Sequence, residues 1–264
     1  SPGTERRELL AHPKLDTMTI PCYTPAEGES QARDAAPPRM STTSALTAAE
    51  RWDHIQARWG YRRSAHRVTP GLYALGSPTP HSPVFVTANY TLSFDALRSS
   101  LAGTDGYLLV LDTQGINVWC AAGKGSFGTD ELVRRIELTR LGEVVAHRRL
   151  ILPQLGAPGI AAHEVKQRSG FTVEYGPVRA ADLPAYLAQG RMATAQMRHV
   201  TFTLGERLTL VPVELVHAVL PALIAAVLVG LIAGPWAAAG VIAAVAAGVA
   251  LFPILLPALP TRDF

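Results

Sequence analysis

YLLVLDTQGINVWCAAGKGSFGTDELVRRI, residues 107–136, reads as a strand, a glycine-rich connection and a helix. Tyr107–Leu111 is an apolar run of strand length, and from Thr129 the apolar positions recur at helical spacing up to Thr139. The same alternation extends to both sides. Strands are expected near Val84–Thr87, Leu150–Leu152 and Thr172–Tyr175, with helices near Ser93–Leu101, Gly159–Arg168 and Ala180–Ala188. Short β-rich runs that alternate with helices predict an α/β fold, a Rossmann-like open parallel sheet with crossover helices. Within the connection, NVWCAAGK predicts a short cap helix opened by Asn117 and ended by Gly123. Ser93 reads as the cap of FDALR, and Thr129 with Asp130 and Glu131 opens the next helix, where its dipole favours carboxylates. FTLGERLTL, from Phe202, reads as a further strand or hairpin.

The flanks differ in character from this centre. Residues 1–45 are rich in Pro, Ala, Ser, Thr and charge without a sustained period, which predicts a disordered tail. Residues 46–70 hold LTAAERWDHIQARW, an amphipathic lead-in helix with Trp52, Ile55 and Trp59 at helical spacing. The α/β domain is expected over 71–212. From Leu215 to Thr261 there is no Asp, Glu, Lys or Arg, and Gly234, Pro235 and Trp236 divide the run. Each half is about 20 residues, enough to cross a hydrocarbon core roughly 30 Å thick, so 213–261 reads as a transmembrane helical hairpin in contact with membrane lipid. The competing reading, a buried hairpin in a soluble protein, asks a small domain to hide a long charge-free run. Arg198 and Arg207 precede the spans, Arg262 follows them, and the turn is uncharged. The positive-inside rule then makes this a multi-pass protein of the cytoplasmic membrane, with its α/β domain in the cytoplasm.

Composition excludes several classes of function. A net charge of +3 with only 17% charged residues does not build a continuous phosphate-binding surface, so nucleic acid is not an expected partner. No signal peptide is read at the start, which is Ser1 and not Met. Cys22 and Cys120 are the two cysteines, far apart, which excludes a disulfide framework and a self-contained iron–sulfur cluster, since a cluster needs about four thiolates.

Several chemistries compete for residues 115–132. Gly123, Gly125 and Gly128 spell GxGxxG, but the INVWCAA insertion separates them from the strand, and no acidic residue ends a following strand at the right distance. Lys124 after Gly123 suggests a phosphate loop, yet Gly125 stands where a magnesium-binding Ser or Thr belongs. There is no GxSxG, and His163 with Glu164 lacks the second His of HExxH, so these two read as helix-surface residues. The remaining reading makes Cys120 a metal ligand: a thiolate near a helix start is favoured by the dipole, and Ala121, Ala122 and Gly123 let a large flat ligand approach. On chemistry alone a small buried hydrophobe remains open for Cys120. Because open α/β sheets bind ligands beyond the carboxyl ends of their strands, Thr87 and Asn89, the stretch Gln154–Gly159 with Gln154, Leu155, Gly156 and Gly159, and the stretch Tyr175–Arg179 with Tyr175, Gly176 and Arg179 are expected to rim one crevice with the cap helix. The glycines would let backbone approach a ligand without a side-chain clash. Trp119 would wedge the cap helix onto the domain, beside Val118, and Lys124 would meet an anionic group or serve as a helix-end charge.

NVWCAAGKG resembles the cap-helix motif of the membrane-bound corrinoid proteins of microbial mercury methylation. The likeness extends over SPVFVTANYTLSFDALR, the stretch quoted above, RLILPQLGAPGIAAHEVKQRSGF and VEYGPVRAADLPAYL. More distant kin are the corrinoid-binding domains of the corrinoid iron–sulfur protein of the acetyl-CoA synthase system, whose equivalent helix lacks the cysteine. The resemblance implies a cobalamin-type corrinoid held base-off, with the Cys120 thiolate as lower axial ligand of cobalt and with Asn117, Val118, Trp119, Ala121, Ala122, Gly123 and Lys124 around it. It implies methyl transfer to Hg(II), with methylmercury as product. A dicluster (4Fe–4S) ferredoxin as reductant and a methyltetrahydrofolate-dependent methyl donor are the implied partners. The alternative is a membrane-anchored corrinoid methyl carrier of a Wood–Ljungdahl-type pathway with another acceptor. Members carry more spans than the two read here, which implies a fragment or a shortened member.

Overall fold

The computed structural model describes residues 39–62 and 65–258. The expected tail up to residue 38, with Cys22, lies outside the described residues. Strand β1 (Met40–Thr42) is followed by α1 (Ala48–Arg58), β2 (Gly71–Leu75), β3 (Val84–Ala88), α2 (Thr91–Ser100) and β4 (Gly106–Leu111). Then come α3 (Val118–Lys124), α4 (Thr129–Leu138), the short α5 (Leu141–Val144), β5 (Arg149–Leu152), a 3-10 segment (Gln154–Gly159), α6 (Ala162–Ser169), β6 (Thr172–Tyr175) and α7 (Leu183–Ala188). The chain ends in α8 (Leu204–Leu208), α9 (Val211–Ala233) and α10 (Pro235–Leu255).

One sheet of order β1-β2-β4-β3-β5-β6 carries the domain. β3, β4, β5 and β6 are mutually parallel, and β3 and β4 are buried along their whole length, as apolar runs between two helical layers should be. On one face Leu109, Leu111, Ile136, Leu150 and Phe171 pack together; on the other Phe85, Leu108, Val110, Phe94 and Tyr186 do. The expected open parallel sheet is corrected at one edge: β2 runs antiparallel to β4, and β1 pairs parallel with β2. Residues 76–83, with Pro78, Pro80 and Pro83, are the whole connection from β2 to β3. A parallel crossover needs a dozen or more residues, so this link can only reverse the chain. β1 also falls in the stretch read as tail; Arg98 fixes the residues after it, donating to the carbonyls of Thr43 and Ala45 at 2.7 and 2.8 Å.

Two local expectations are corrected. α2 begins at Thr91 with Tyr90 in the capping position, so Ser93 lies inside the first turn and caps nothing. FTLGERLTL forms neither strand nor hairpin: Thr203 and Glu206 make a reciprocal capping box that opens α8. Gly128 precedes α4 without a side-chain cap, and the Thr129 hydroxyl instead accepts from Ala161 N–H at 2.8 Å. α9 and α10 form a hairpin turned at Gly234, whose φ is +87°. Both helices are long and apolar enough to cross a membrane. Their apolar side chains point outward: Leu231, Ile232 and Trp236 are 81, 87 and 88% exposed, unlike those of a hairpin packed into a soluble core.

Candidate functional site

The site is built from the turn that follows β4. β3 and β4 end side by side, with Ala88 opposite Leu111, and Asn89 reaches across into the turn. The Asn89 Oδ1 accepts from Thr113 N–H, the Thr113 hydroxyl and Gly115 N–H at 3.0, 2.9 and 3.0 Å, and its amide donates to Asp112 Oδ1 at 3.2 Å. Asp112 N–H in turn donates to Glu131 Oε1 at 2.9 Å. Gln114 and Gly115 both take left-handed backbone, with φ of +58° and +74°. The turn is thereby fixed in a shape that few sequences adopt, and it delivers α3 at one angle.

α3 is capped as expected: Cys120 N–H donates to Asn117 Oδ1 at 2.9 Å. It ends two residues later than expected, with Gly125 at φ +82° as the left-handed cap in place of Gly123. Val118, Ala121 and Ala122 form its buried face, while Trp119, Cys120, Gly123 and Lys124 are exposed on the other. A Cβ on Gly123 would meet nothing within 4 Å, so a flat, open surface adjoins the Cys120 thiol. The reading of Cys120 as a small buried hydrophobe is therefore excluded.

The 3-10 segment after β5 holds the buried face of α3 in place. A Cβ on Gly159 would lie 2.1 Å from Phe127 O and 3.1 Å from Ala122 Cα, and one on Gly156 would lie 2.5 Å from the Phe127 ring. These two glycines admit the protein's own backbone and aromatic ring, not a ligand, which corrects the expectation for them. Gly176 likewise faces Ile151 Cγ2 at 3.2 Å. The Tyr175 hydroxyl donates to Ile160 O at 2.8 Å, and burial pushes its pKa up.

A cavity of about 370 Å³ opens between α2, α3 and the carboxyl ends of β3 and β5. Of the expected residues, Thr87, Asn117, Val118, Trp119 and Leu155 line it. Asn89, Cys120, Ala121, Ala122, Gly123, Lys124, Gly156, Gly159, Tyr175 and Gly176 do not line it. Gln154 accepts from Arg198 Nη1, and Arg179 donates to Glu206 Oε1 at 2.6 Å and to Thr201, so both are spent on the segment that leads to the hairpin. Pro177 and Val178, within the expected stretch Tyr175–Arg179, also line the cavity, and the structure adds Ser93 and Leu97 of α2 together with Pro153. Pro153 directly follows a strand and could have been found from that position alone; the α2 residues needed the true helix start. Phe202 tilts against Trp119 with ring centroids 6.3 Å apart, a contact no spacing pattern announces. His163 is exposed on α6, 4.0 Å from Glu164, as expected of surface residues.

The family model CdhD, CO dehydrogenase/acetyl-CoA synthase delta subunit, matches residues 56–187, half of the chain and every residue that lines the cavity, while Phe202 against Trp119 lies beyond the match. The chain belongs to this CdhD family. It is similar to the acetyl-CoA decarbonylase/synthase complex subunit gamma of Archaeoglobus fulgidus and of Methanopyrus kandleri, 35% identical to each over 127 residues. It is also similar to the corrinoid/iron-sulfur protein large subunit of Moorella thermoacetica, 29% identical over 122 residues. These matches cover 46–47% of this chain and 27% of each relative, so the chain spans about a quarter of the length of the curated relatives it matches. The CdhD model bears a delta name while the relatives are gamma and large subunits. The likeness therefore identifies a module and not the role of one subunit.

Proposed function

We propose that this chain is a membrane-anchored, corrinoid-binding methyl-transfer protein in which Cys120 would hold the cobalt. The observation that carries the proposal is the exposed Cys120 thiol, set on a helix whose opposite face is locked to the sheet and placed beside an apolar crevice. Membership of the CdhD family and the likeness to a protein named for its corrinoid support the choice of cofactor.

The residues present fit such a group. Sulfur is a soft donor suited to a polarisable transition metal, and the open space beyond Gly123 leaves the face of α3 beside the thiol clear for a large group. A macrocycle held by Cys120 would meet the open face of α3, with the apolar crevice of about 370 Å³ beside it. A corrinoid supplies, when bound, a cobalt centre that accepts and releases a methyl group. The chain's own contribution is positional. Asn117 holds the backbone of Cys120, Asn89 holds the turn, and Thr87, Val118, Trp119 and Leu155 offer a mostly apolar wall that excludes water. Described residues contain no other cysteine, so electrons come from a partner, for which an iron–sulfur ferredoxin is suited.

Two acceptors follow from different observations. The relatives' names place them in acetyl-CoA decarbonylase/synthase complexes, which favours a methyl carrier of a Wood–Ljungdahl-type pathway, fed by a methyltetrahydrofolate-dependent donor. The cysteine within NVWCAAGKG favours Hg(II), a soft acceptor, with methylmercury as product. The outward apolar faces of α9 and α10, with arginines on one side, support a cytoplasmic-membrane location with the crevice in the cytoplasm.

The test loads the purified chain with methylcobalamin, passes it through gel filtration, and adds Hg(II) with a strong reductant. Retention of the corrinoid, a sulfur-to-cobalt absorption band lost in Cys120→Ala, and methylmercury from the parent chain alone are expected. Retention without methylmercury leaves the carrier reading; failure to retain corrinoid removes both.

A further inference from the structure

We infer that the exposed face of α1 is a foot that rests on anionic lipid headgroups beside the hairpin, an inference that rests on the membrane reading of α9 and α10. The face carries Trp52, Ile55 and Trp59, with Tyr61 just beyond the helix, and they are 60, 46, 47 and 57% exposed. Arg51, Arg58 and Arg62 stand exposed among them. The carboxylates of the same helix turn inward: Glu50 pairs with Arg98 at 2.6 Å, and Asp53 with the buried His66 at 2.7 Å. What remains outside is aromatic and cationic, with neither acid engaged elsewhere on the face.

The position of this face selects lipid over a soluble partner. Arg58 Nη1 donates to Thr209 Oγ1 at 3.4 Å, and a Cβ on Gly60 would lie 3.2 Å from Val213 Cγ2. The carboxyl end of α1 thus abuts the first turn of α9, just before the charge-free run that begins at Leu215. Trp and Tyr prefer that level of a bilayer, where the ring is half in hydrocarbon, and arginines there meet anionic headgroups. Leu204, Leu208 and Leu210, also exposed, continue the collar from α8. An amphipathic helix with aromatic and Arg residues on one face is the kind that lies in the interface plane.

The experiment uses the full chain in nanodiscs of phosphatidylcholine, with or without phosphatidylglycerol, and brominated lipids as quenchers. One variant keeps Trp59 as its single tryptophan and another keeps Trp236, the others being replaced by Phe. Trp236 quenching reports the hairpin in the bilayer. Trp59 should be quenched by shallow bromines, more strongly with phosphatidylglycerol, and Arg51→Glu, Arg58→Glu and Arg62→Glu together should cancel that gain. Quenching of Trp236 without Trp59 overturns the foot and leaves the hairpin in lipid. Shielding of Trp59 from both lipid bromine and aqueous acrylamide means that a protein partner or second copy covers the face, and also overturns it. Quenching of neither removes the membrane reading as well.

Discussion

Gly123 lies on the open face of α3 and Gly159 packs against its buried face, and the space around each assigns it a different role. Gly159→Ala forces a Cβ into Phe127 O and Ala122, so a loss of about 1–3 kcal/mol is expected in chemical denaturation, from overpacking of the seat of α3. Gly123→Ala meets nothing and replaces a helical glycine; the apo chain should gain up to about 1 kcal/mol. Corrinoid retention should nevertheless fall in Gly123→Ala, because the added methyl projects from the open face beside Cys120 where the proposed corrinoid would rest. Unchanged retention there would move the macrocycle off this face. Asn89→Ala leaves the buried amides of Thr113 and Gly115 without their acceptor, and each such loss costs roughly 1–3 kcal/mol. A lowered melting temperature with faster hydrogen exchange in 112–120 is the expected result, whereas Cys120→Ala should melt like the parent because its side chain is exposed. The sequence made α3, its Asn117 cap and the singular Cys120 visible, since capping and helical spacing are local. It could not separate Asn89 as a hidden brace from Thr87 as a wall, because that depends on which side of a strand end faces the turn.

At the scale of elements, α8 straps the crevice to the hairpin. Its capping box, the Arg179–Glu206 pair and the Phe202–Trp119 contact link the lead-in of α9 to the rim of the site. The Thr203 N–H, donating at 2.8 Å, holds the Glu206 carboxyl below its ordinary pKa of 4.5, and Arg179 adds to the effect. A depressed folded value means that this stabilisation is complete above about pH 4.5 and is lost as the pH falls through the lower, folded value. Protection of the 203–208 amides, taken as the ratio of the unstructured-chain exchange rate to the observed rate at the same pH, should therefore be high at neutral pH and fall on acidification. Glu206→Gln should be weakly protected at both; a variant as protected as the parent at neutral pH would show that the strap does not depend on the carboxylate. The strap was misread as a strand because FTLGERLTL alternates and is rich in Thr and Leu, although T-x-x-E is a helix-start signature in the same letters. Alternation over a short run competes with a capping box, and burial decides: Leu204 and Leu208 have no sheet to enter and remain exposed.

For the whole molecule, the parallel half of the sheet followed from the sequence and the antiparallel edge did not. GLYAL is too short to show a period, and its direction is dictated by the length of 76–83 rather than by its residues. The same dependence on context applies to the hairpin, whose helices are plain in the sequence but whose orientation rests on a few charges. Arg198 and Arg207 lie on the domain side of α9, and the turn at Gly234–Trp236 carries none. If the arginines stay in the cytoplasm, the turn crosses to the outside, and the crevice faces the compartment that holds low-potential reductants. A chain with Cys22→Ser, Cys120→Ser and Trp236→Cys should then react with a membrane-impermeant maleimide in intact spheroplasts, since Trp236 lies at the uncharged turn between the two helices. A chain with Cys22→Ser alone should react at Cys120 only after permeabilisation. The reverse pattern would put Cys120 outside, where an iron–sulfur partner cannot reach it, and would leave the proposed methyl transfer without its source of electrons.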